Sequence, residues 1–366
     1  MANKADKILI ALSGGGTGGP VVPLLSVARV LKRQHQEVEF LFFGTVSGPE
    51  LSLVKNEEAD LNIKYLAIQS GKFRRYFSWR NFSDLFLIIF AFFQAFFLLI
   101  KYRPRALFSA GGFVAVPPAW AARILRIPVL IHQQDFRPGL ANKIIAPIAS
   151  SRTVTFEKSL QDYKKALWIG NPLDEEELRN AQENLAQTKE KYHLTNSLPI
   201  ILVTGGGTGA DYLNNLVQES RTVLQEKFQI IHLCGSGKRK ADDGINYQAY
   251  DFLPHAEIIK LMALSDLIIS RCGLGTLSEI SLLAKPAILI PIPDSHQEDN
   301  ANLFKDASVV LSQKELSAEL FTEKINQLFG DKEELNRIST EVKKMIKPGA
   351  AEFLAEKIYE YSRQKN

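Results

Sequence analysis

Two cysteines in 366 residues exclude a disulfide scaffold. Cys234 and Cys272 lie in no CxxC or other metal-ligand spacing, so no metal is expected, and a reducing, cytoplasmic setting fits. Strong charge is lacking too. The 44 basic and 40 acidic residues leave only +4, too little to argue for nucleic acid. No GxxxxGK[ST] loop exists; Gly235-Ser236-Gly237-Lys238 is too short and Arg239 follows, which excludes a P-loop nucleotidase. No Asp-x-Asp pair exists, so a metal-bridged diphosphate of that type is not indicated. The first apolar stretch is short and runs straight into glycines, unlike a secretory leader.

What is present is a globular composition, 46% apolar and 23% charged, and a length sufficient for two domains. GGGTG occurs twice, from Gly14 and again from Gly205. Each copy follows an apolar run that reads as a buried strand, at 8–12 and 200–204, and precedes a helical pattern, at 21–32 and 212–227. Such a turn lets backbone N–H groups approach a phosphate, and the helix dipole favours negative charge there. Further strands are expected at 38–44, 106–109, 129–133 and 153–156, then at 229–233, 267–270 and 287–290. Helices are expected at 49–58 and 117–125, then at 258–263 and 276–283. This alternation predicts an α/β protein of two doubly wound, Rossmann-like parallel sheets whose ligands bind beyond the C-terminal strand ends. Gly170-Asn171-Pro172 reads as a hinge, and 174–191 as a solvated helix. The expected organisation is therefore 1–169, 170–346, and a last segment, 347–366, carrying an amphipathic helix over 350–361.

The stretch from Phe73 to Arg105 is unusual. Its apolar centre, 85–100, contains Gln94 and is shorter than the roughly 20 residues a spanning helix needs. One reading is a helix packed on the sheet. The other is a partly exposed apolar face with a basic rim of Lys72, Arg74, Arg75, Arg80, Lys101, Arg103 and Arg105, docked on an anionic membrane.

Gly14-x-Gly16-x-x-Gly19 satisfies the dinucleotide fingerprint, and Gly205-x-Gly207-x-x-Ala210 its relaxed form. A dehydrogenase would also want an acidic residue ending the next strand. Glu37 precedes that strand and Glu39 alternates within it. Other residues favour a nucleotide-sugar. Gly273, Leu274, Gly275 and Thr276 turn from a strand into a helix that carries Glu279, a carboxylate able to accept from both ribose hydroxyls. Its plainer role is to complement the helix dipole. Gln297 and Asn300 offer amides suited to sugar hydroxyls, or simply belong to a capped helix start.

These motifs resemble the MurG family of N-acetylglucosaminyltransferases, which convert lipid I to lipid II in peptidoglycan synthesis. The resemblance spans nearly the whole chain. It runs through Gly15 to Gly19 with Pro23, Ser109-Ala110-Gly111-Gly112-Phe113-Val114, and His132-Gln133-Gln134-Asp135 with Gly139-Leu140-Ala141-Asn142-Lys143. It continues through Gly170-Asn171-Pro172, Gly205 to Ala210, Arg271 to Glu279, and His296-Gln297-x-x-Asn300-Ala301. It implies two domains facing across a cleft, of the glycosyltransferase B type, and a peripheral enzyme on the cytoplasmic face of the membrane. The first domain would take the undecaprenyl-diphosphate-linked acceptor, lipid I. The second would take UDP-N-acetylglucosamine, with transfer inverting at the anomeric carbon. No cofactor is implied, and a cell-wall synthesis complex is a possible partner. Glu279 would hold the ribose, Gln297 the sugar, Gly207 and Thr208 the diphosphate, and Leu253 the uracil through its backbone. Thr17, Gly18 and Gly19 would face the acceptor, with Gly111, Gly112 and Asn142 nearby. The last helix would cross back to the first domain.

Departures are specific. Pro20 stands where the family usually has histidine, a favoured general base, and proline cannot serve. Gln133, Asp135 and Asp174 replace the usual Glu, Asn and Arg. His132 or Asp135 is the candidate replacement base; the plainer reading is a structural histidine and a turn-capping aspartate. Other expectations remain open: a related transferase with another lipid-linked acceptor, a UDP-sugar-binding scaffold without catalysis, and a dehydrogenase.

Overall fold

The computed structural model describes residues 7–16, 18–71, 80–206, 209–239 and 242–364. The chain divides into two compact units, Met1–Asp174 with Lys347–Asn366, and Glu175–Ile346.

The first unit is built on a parallel sheet. Its strands are β1 (Ile8–Gly14), β2 (Val38–Gly44), β3 (Ile63–Ala67), β4 (Ala106–Gly111), β5 (Val129–Gln133), β6 (Ser151–Val154) and β7 (Leu167–Trp168). They lie in the order β3-β2-β1-β4-β5-β6-β7. The helices are α1 (Val21–Gln34), α2 (Glu50–Lys55), α3 (Glu58–Leu61), α4 (Arg80–Tyr102), α5 (Val116–Ile124) and α6 (Leu140–Ile145). The central strands are apolar on both faces because helices cover both. Ile10, Leu12, Phe40, Phe42 and Phe108 are buried with α1, while Ala11, Leu41, Phe43 and Leu107 are buried on the opposite side with α4 and α5. The order reverses beside β1, where β2 and β4 flank it, so the C-terminal ends of β1 and β4 form the switch point at which such sheets bind ligands.

The second unit repeats the plan. Helices α7 (Glu175–Glu183) and α8 (Leu185–Lys191) open it. The strands are β8 (Ile200–Thr204), β9 (Gln229–Leu233), β10 (Tyr247–Tyr250), β11 (Leu267–Ser270), β12 (Ala287–Leu289) and β13 (Val309–Val310), ordered β10-β9-β8-β11-β12-β13 and all parallel. Between and after them run α9 (Asp211–Leu224), α10 (His255–Leu264), α11 (Leu274–Leu282), α12 (His296–Phe304), α13 (Ala318–Gly330) and α14 (Lys332–Val342). The switch point here lies between β8 and β11.

The last helix, α15 (Ala350–Arg363), packs on α1 of the first unit. Ala351, Leu354, Ala355 and Ile358 are buried there, Tyr359 stacks on His35 with centroids 3.5 Å apart, and its hydroxyl donates to Glu37 at 2.9 Å. The returning chain touches Gly170: a Cβ there would lie 1.9 Å from the Lys347 carbonyl oxygen, and φ is +92°, so only glycine fits. Asp174 is buried and accepts a paired hydrogen bond from Arg33 of α1, both contacts at 2.9 Å.

Several elements depart from expectation. Strands β3, β7, β10 and β13 were not anticipated, and β6 starts and ends two residues earlier than 153–156. The helix expected over 174–191 is two, broken at Asn184, and that over 49–58 is also two.

Candidate functional site

In the first unit the two glycine loops lie backbone against backbone. Gly112 has φ of +90°, and a Cβ on it would meet the Gly15 carbonyl oxygen at 2.4 Å. The first loop is not an empty phosphate cradle. Glu50, fully buried at the start of α2, accepts from the Gly16 N–H at 3.1 Å and the Thr45 N–H at 2.8 Å, and from the Thr45 hydroxyl. The Gly16 N–H is therefore not open to a phosphate, because an internal carboxylate already takes that backbone donor. Gly18 and Gly19 lead into α1; the Gly18 carbonyl accepts from Val21 N–H, and the Gly19 carbonyl from the Gln134 side chain at 3.2 Å. Pro20 forms the helix N-cap, with φ of −68°. Thr17 lies outside the described residues.

His132 does not have the setting of a base. It is completely buried on β5, and its ring nitrogens each lie 3.0 Å from a threonine hydroxyl, Thr153 and Thr155. Burial pushes its pKa down to about 3. A substrate hydroxyl cannot reach a ring with both nitrogens occupied inside the core, so the proton-accepting role for His132 is withdrawn. Asp135 is different: it is exposed, in the bend that follows β5. Gln133 shapes that bend. Its amide donates to the carbonyls of Asp135 at 2.9 Å and Arg137 at 3.1 Å, and its oxygen accepts from Asn142 at 2.8 Å. Asn142 is buried and also donates to the His132 carbonyl at 3.0 Å. Its amide thus positions the strand end, and it is not an open ligand group. Its Oδ1, buried and without a partner among the described residues, lies near Gly111.

In the second unit, Gly209 has φ of +68°, and a Cβ there would sit 2.0 Å from the Cys234 carbonyl oxygen, so the loop lies against the end of β9. Gly207 and Thr208, expected at the diphosphate, lie outside the described residues. The loop before α11 is open. A Cβ on Gly273 or Gly275 would meet nothing within 4 Å, and no side chain caps the helix. The N–H groups of Leu274, Gly275 and Thr276 therefore point out of an uncapped helix start, a natural place for a diphosphate.

Glu279 lies in the second turn of α11 and is largely buried. Its Oε1 accepts from His255 Nε2 at 2.8 Å. His255 opens α10, just after Leu253, which is half-buried in the loop following β10. Gln297 is more committed than the sequence suggested. Its oxygen accepts from the Cys272 N–H at 3.1 Å and the Ile292 N–H at 3.2 Å, joining two loops. Only its amide NH2 remains to donate to a sugar. Ser295 caps α12 by accepting from the Gln297 N–H. Asn300 is buried and donates to the Cys272 carbonyl at 3.0 Å, so it too acts through the backbone. Arg271 is buried, donating to the Ile290 and Pro291 carbonyls and to Gln313. Burial raises the Cys234 and Cys272 thiols to about 11 and about 12, so neither is a nucleophile.

Glu50 and His255 escaped the sequence reading. Glu50 gave one signal, a carboxylate in the first turn after a Gly-Pro step; His255 gave none beyond its place at a helix start. Among the described residues no group of three His, Cys, Asp or Glu could hold a metal, and no helix is long and apolar enough to cross a membrane.

Two such doubly wound parallel-sheet units are the fold of the glycosyltransferase B type. Glycosyltransferase family 28 matches over both units, its N-terminal domain at residues 10–154 and its C-terminal domain at 200–354. The chain belongs to this family, and within it to the MurG transferases. A Clostridium tetani protein is 36% identical over 334 residues, covering 88% of this chain and 90% of that protein. One from Lachnospira eligens is 37% identical over 335 residues, covering 88% and 91%. Both are named UDP-N-acetylglucosamine–N-acetylmuramyl-(pentapeptide) pyrophosphoryl-undecaprenol N-acetylglucosamine transferase. In fold, the chain is similar to the crystal structure of Acinetobacter baumannii MurG, with TM-score 0.76 and 24% identity over 97% of this chain and 99% of that one. It is also similar to a Neisseria meningitidis UDP-GlcNAc 2-epimerase bound to UDP-GlcNAc, with TM-score 0.66 and 14% identity over 97% and 99%.

Proposed function

We propose that the protein transfers N-acetylglucosamine from UDP-N-acetylglucosamine to the C4 hydroxyl of N-acetylmuramic acid in lipid I, giving lipid II. The observation that carries this reading is the activity named for relatives 36% identical over 88% of the chain. The open start of α11 supports it, with Glu279 and the free NH2 of Gln297 behind and beside it.

In this reading the second unit takes the donor. The α11 amides receive the diphosphate, Glu279 accepts from the ribose hydroxyls, Leu253 meets the uracil and Gln297 donates to the sugar. The acceptor hydroxyl attacks the anomeric carbon as the bond to the phosphate oxygen breaks, inverting that centre. UDP leaves with the electron pair, stabilised by the helix start. Asp135 takes the hydroxyl proton and passes it to solvent, the role that Pro20 cannot fill. The first unit takes the acceptor, at the ends of β1, β4 and β5.

The protein works at the cytoplasmic face of the membrane as a peripheral enzyme, docked through α4. Phe86, Ile89, Phe90, Phe93, Phe97 and Ile100 are exposed on one face of that helix, while Ala91, Ala95 and Leu99 are buried on the other. The exposed face thus carries six large apolar side chains, and Lys101, Arg103 and Arg105 follow at the helix end. Gln94 anchors the helix by donating to the Ala67 carbonyl at 3.2 Å and accepting from the Gln69 N–H. Lys72, Arg74 and Arg75 of the rim lie outside the described residues.

The test is transfer of radiolabel from UDP-N-acetylglucosamine to a lipid I analogue. Labelled lipid II with release of UDP is expected. Transfer only to another lipid-linked acceptor, or donor binding without turnover on any lipid, would overturn the reading in favour of a related transferase or a scaffold.

A further inference from the structure

The half-exposed His255 ring sits between two carboxylates, with Nε2 at 2.8 Å from Glu279 on α11 and Nδ1 at 3.6 Å from Glu177 on α7. A neutral imidazole carries one N–H and would set a lone pair against one of them. A ring flanked on both sides is favoured as an imidazolium, donating to Glu279 and paired by charge with Glu177. A cation as the first residue of α10 runs against the helix dipole, so it needs such carboxylate partners. Glu279 has a complementary need. It is largely buried, and a nucleoside diphosphate bound at the start of its own helix would bring further negative charge. Its Oε1 accepts from His255, whereas its Oε2 accepts from none of the described residues.

We propose that His255 is a positioning residue of the nucleotide subsite. It ties Glu279 to Glu177, fixes Oε1, offsets the carboxylate's charge beside the diphosphate, and leaves Oε2 aimed to accept from a ribose hydroxyl. This rests on the ribose role of Glu279 proposed above. Burial opposes the charged ring, but the hydrogen bond to Glu279 and the charges of Glu279 and Glu177 outweigh it and hold its pKa above the ordinary imidazole value. The site therefore discriminates for a ribonucleotide through a carboxylate that a histidine from another helix holds in place.

The experiment measures binding of UDP and of 2′,3′-dideoxyuridine diphosphate to the wild-type protein, His255→Ala, His255→Gln and Glu279→Gln. His255→Ala should weaken UDP by about tenfold and leave the dideoxy compound within twofold. His255→Gln, which keeps a donor toward Glu279, should recover most of the loss. In turnover, His255→Ala should raise KM for the UDP-sugar and leave kcat nearly unchanged. If Glu279→Gln weakens UDP but His255→Ala does not, the positioning role fails and the ribose reading stands. If Glu279→Gln binds UDP like wild type, the ribose reading itself fails. Equal loss of both nucleotides in His255→Ala marks a merely structural residue and overturns the proposal.

Discussion

His132 and Asp135 are three residues apart, yet their surroundings give them opposite chemistry. The imidazole is sealed in the core between Thr153 and Thr155, while the carboxylate stands in an exposed bend that Gln133 and Asn142 hold in shape. General-base catalysis contributes on the order of a hundredfold or more. Asp135→Asn should therefore lower kcat by about a hundredfold with KM for the UDP-sugar unchanged, read in steady-state transfer assays. His132→Ala should act on stability instead, because it leaves the buried Thr155 hydroxyl without its partner, at roughly 1–3 kcal/mol, while Thr153 still donates to the Ile131 carbonyl. The sign with pH follows from its lowered pKa of about 3. The folded state holds the ring neutral, so its contribution is complete above the unfolded value near 6.5 and is lost as pH falls toward 3. Thermal melts at pH 7 and pH 5 should show a larger drop for wild type than for His132→Ala. A near-normal kcat in Asp135→Asn would remove that residue from the mechanism.

At the scale of elements, α4 carries the clearest separable property. Its outward phenylalanines recur at three- and four-residue spacing, and Ala91, Ala95 and Leu99 face inward, so charge placed outside leaves the buried side of the helix in place. Phe93→Asp with Phe97→Asp should abolish co-sedimentation with anionic vesicles, yet leave transfer to a water-soluble lipid I analogue within twofold. Wild-type protein should also lose vesicle binding as salt rises. Undiminished sedimentation of the double variant would rule out docking through this face. The helix also marks what the sequence made legible. The apolar centre and basic rim allowed an exposed face as one of two readings, whereas the apolar runs before the two GGGTG turns marked β1 and β8 outright. The short outer strands escaped, because two-residue β7 and β13 and the mixed Tyr247-Gln248-Ala249-Tyr250 carry no apolar run to count. The site divides along the same line. Glycine turns and the α11 start could be read locally, whereas Glu50 against Gly16 is a contact 34 residues apart and His255 against Glu279 one 24 residues apart. No local pattern encodes such pairs.

At the scale of the whole molecule, the two units carry separate apolar cores, and the chain returns to the first only through α15. That helix completes the face of α1: Leu354 and Ile358 are fully buried one turn apart, within a cluster that includes Val27, Val30 and Leu31. Leu354→Ala should cost about 2–4 kcal/mol, the usual range for a cavity in such a core. Adding Ile358→Ala should cost less than the sum of the two, since the cavities are shared. A convenient probe follows from composition. The three tryptophans, Trp79, Trp120 and Trp168, all belong to the first unit. Urea unfolding followed by tryptophan fluorescence therefore reports that unit, and retention of UDP binding along the same titration reports the second. Leu354→Ala should move the fluorescence midpoint to lower urea and leave the midpoint for UDP binding unchanged. If both midpoints fall together, the units unfold as one and their separate cores do not make them independent. If neither falls, α15 contributes nothing to the first unit's stability, against the burial of its entire inner face.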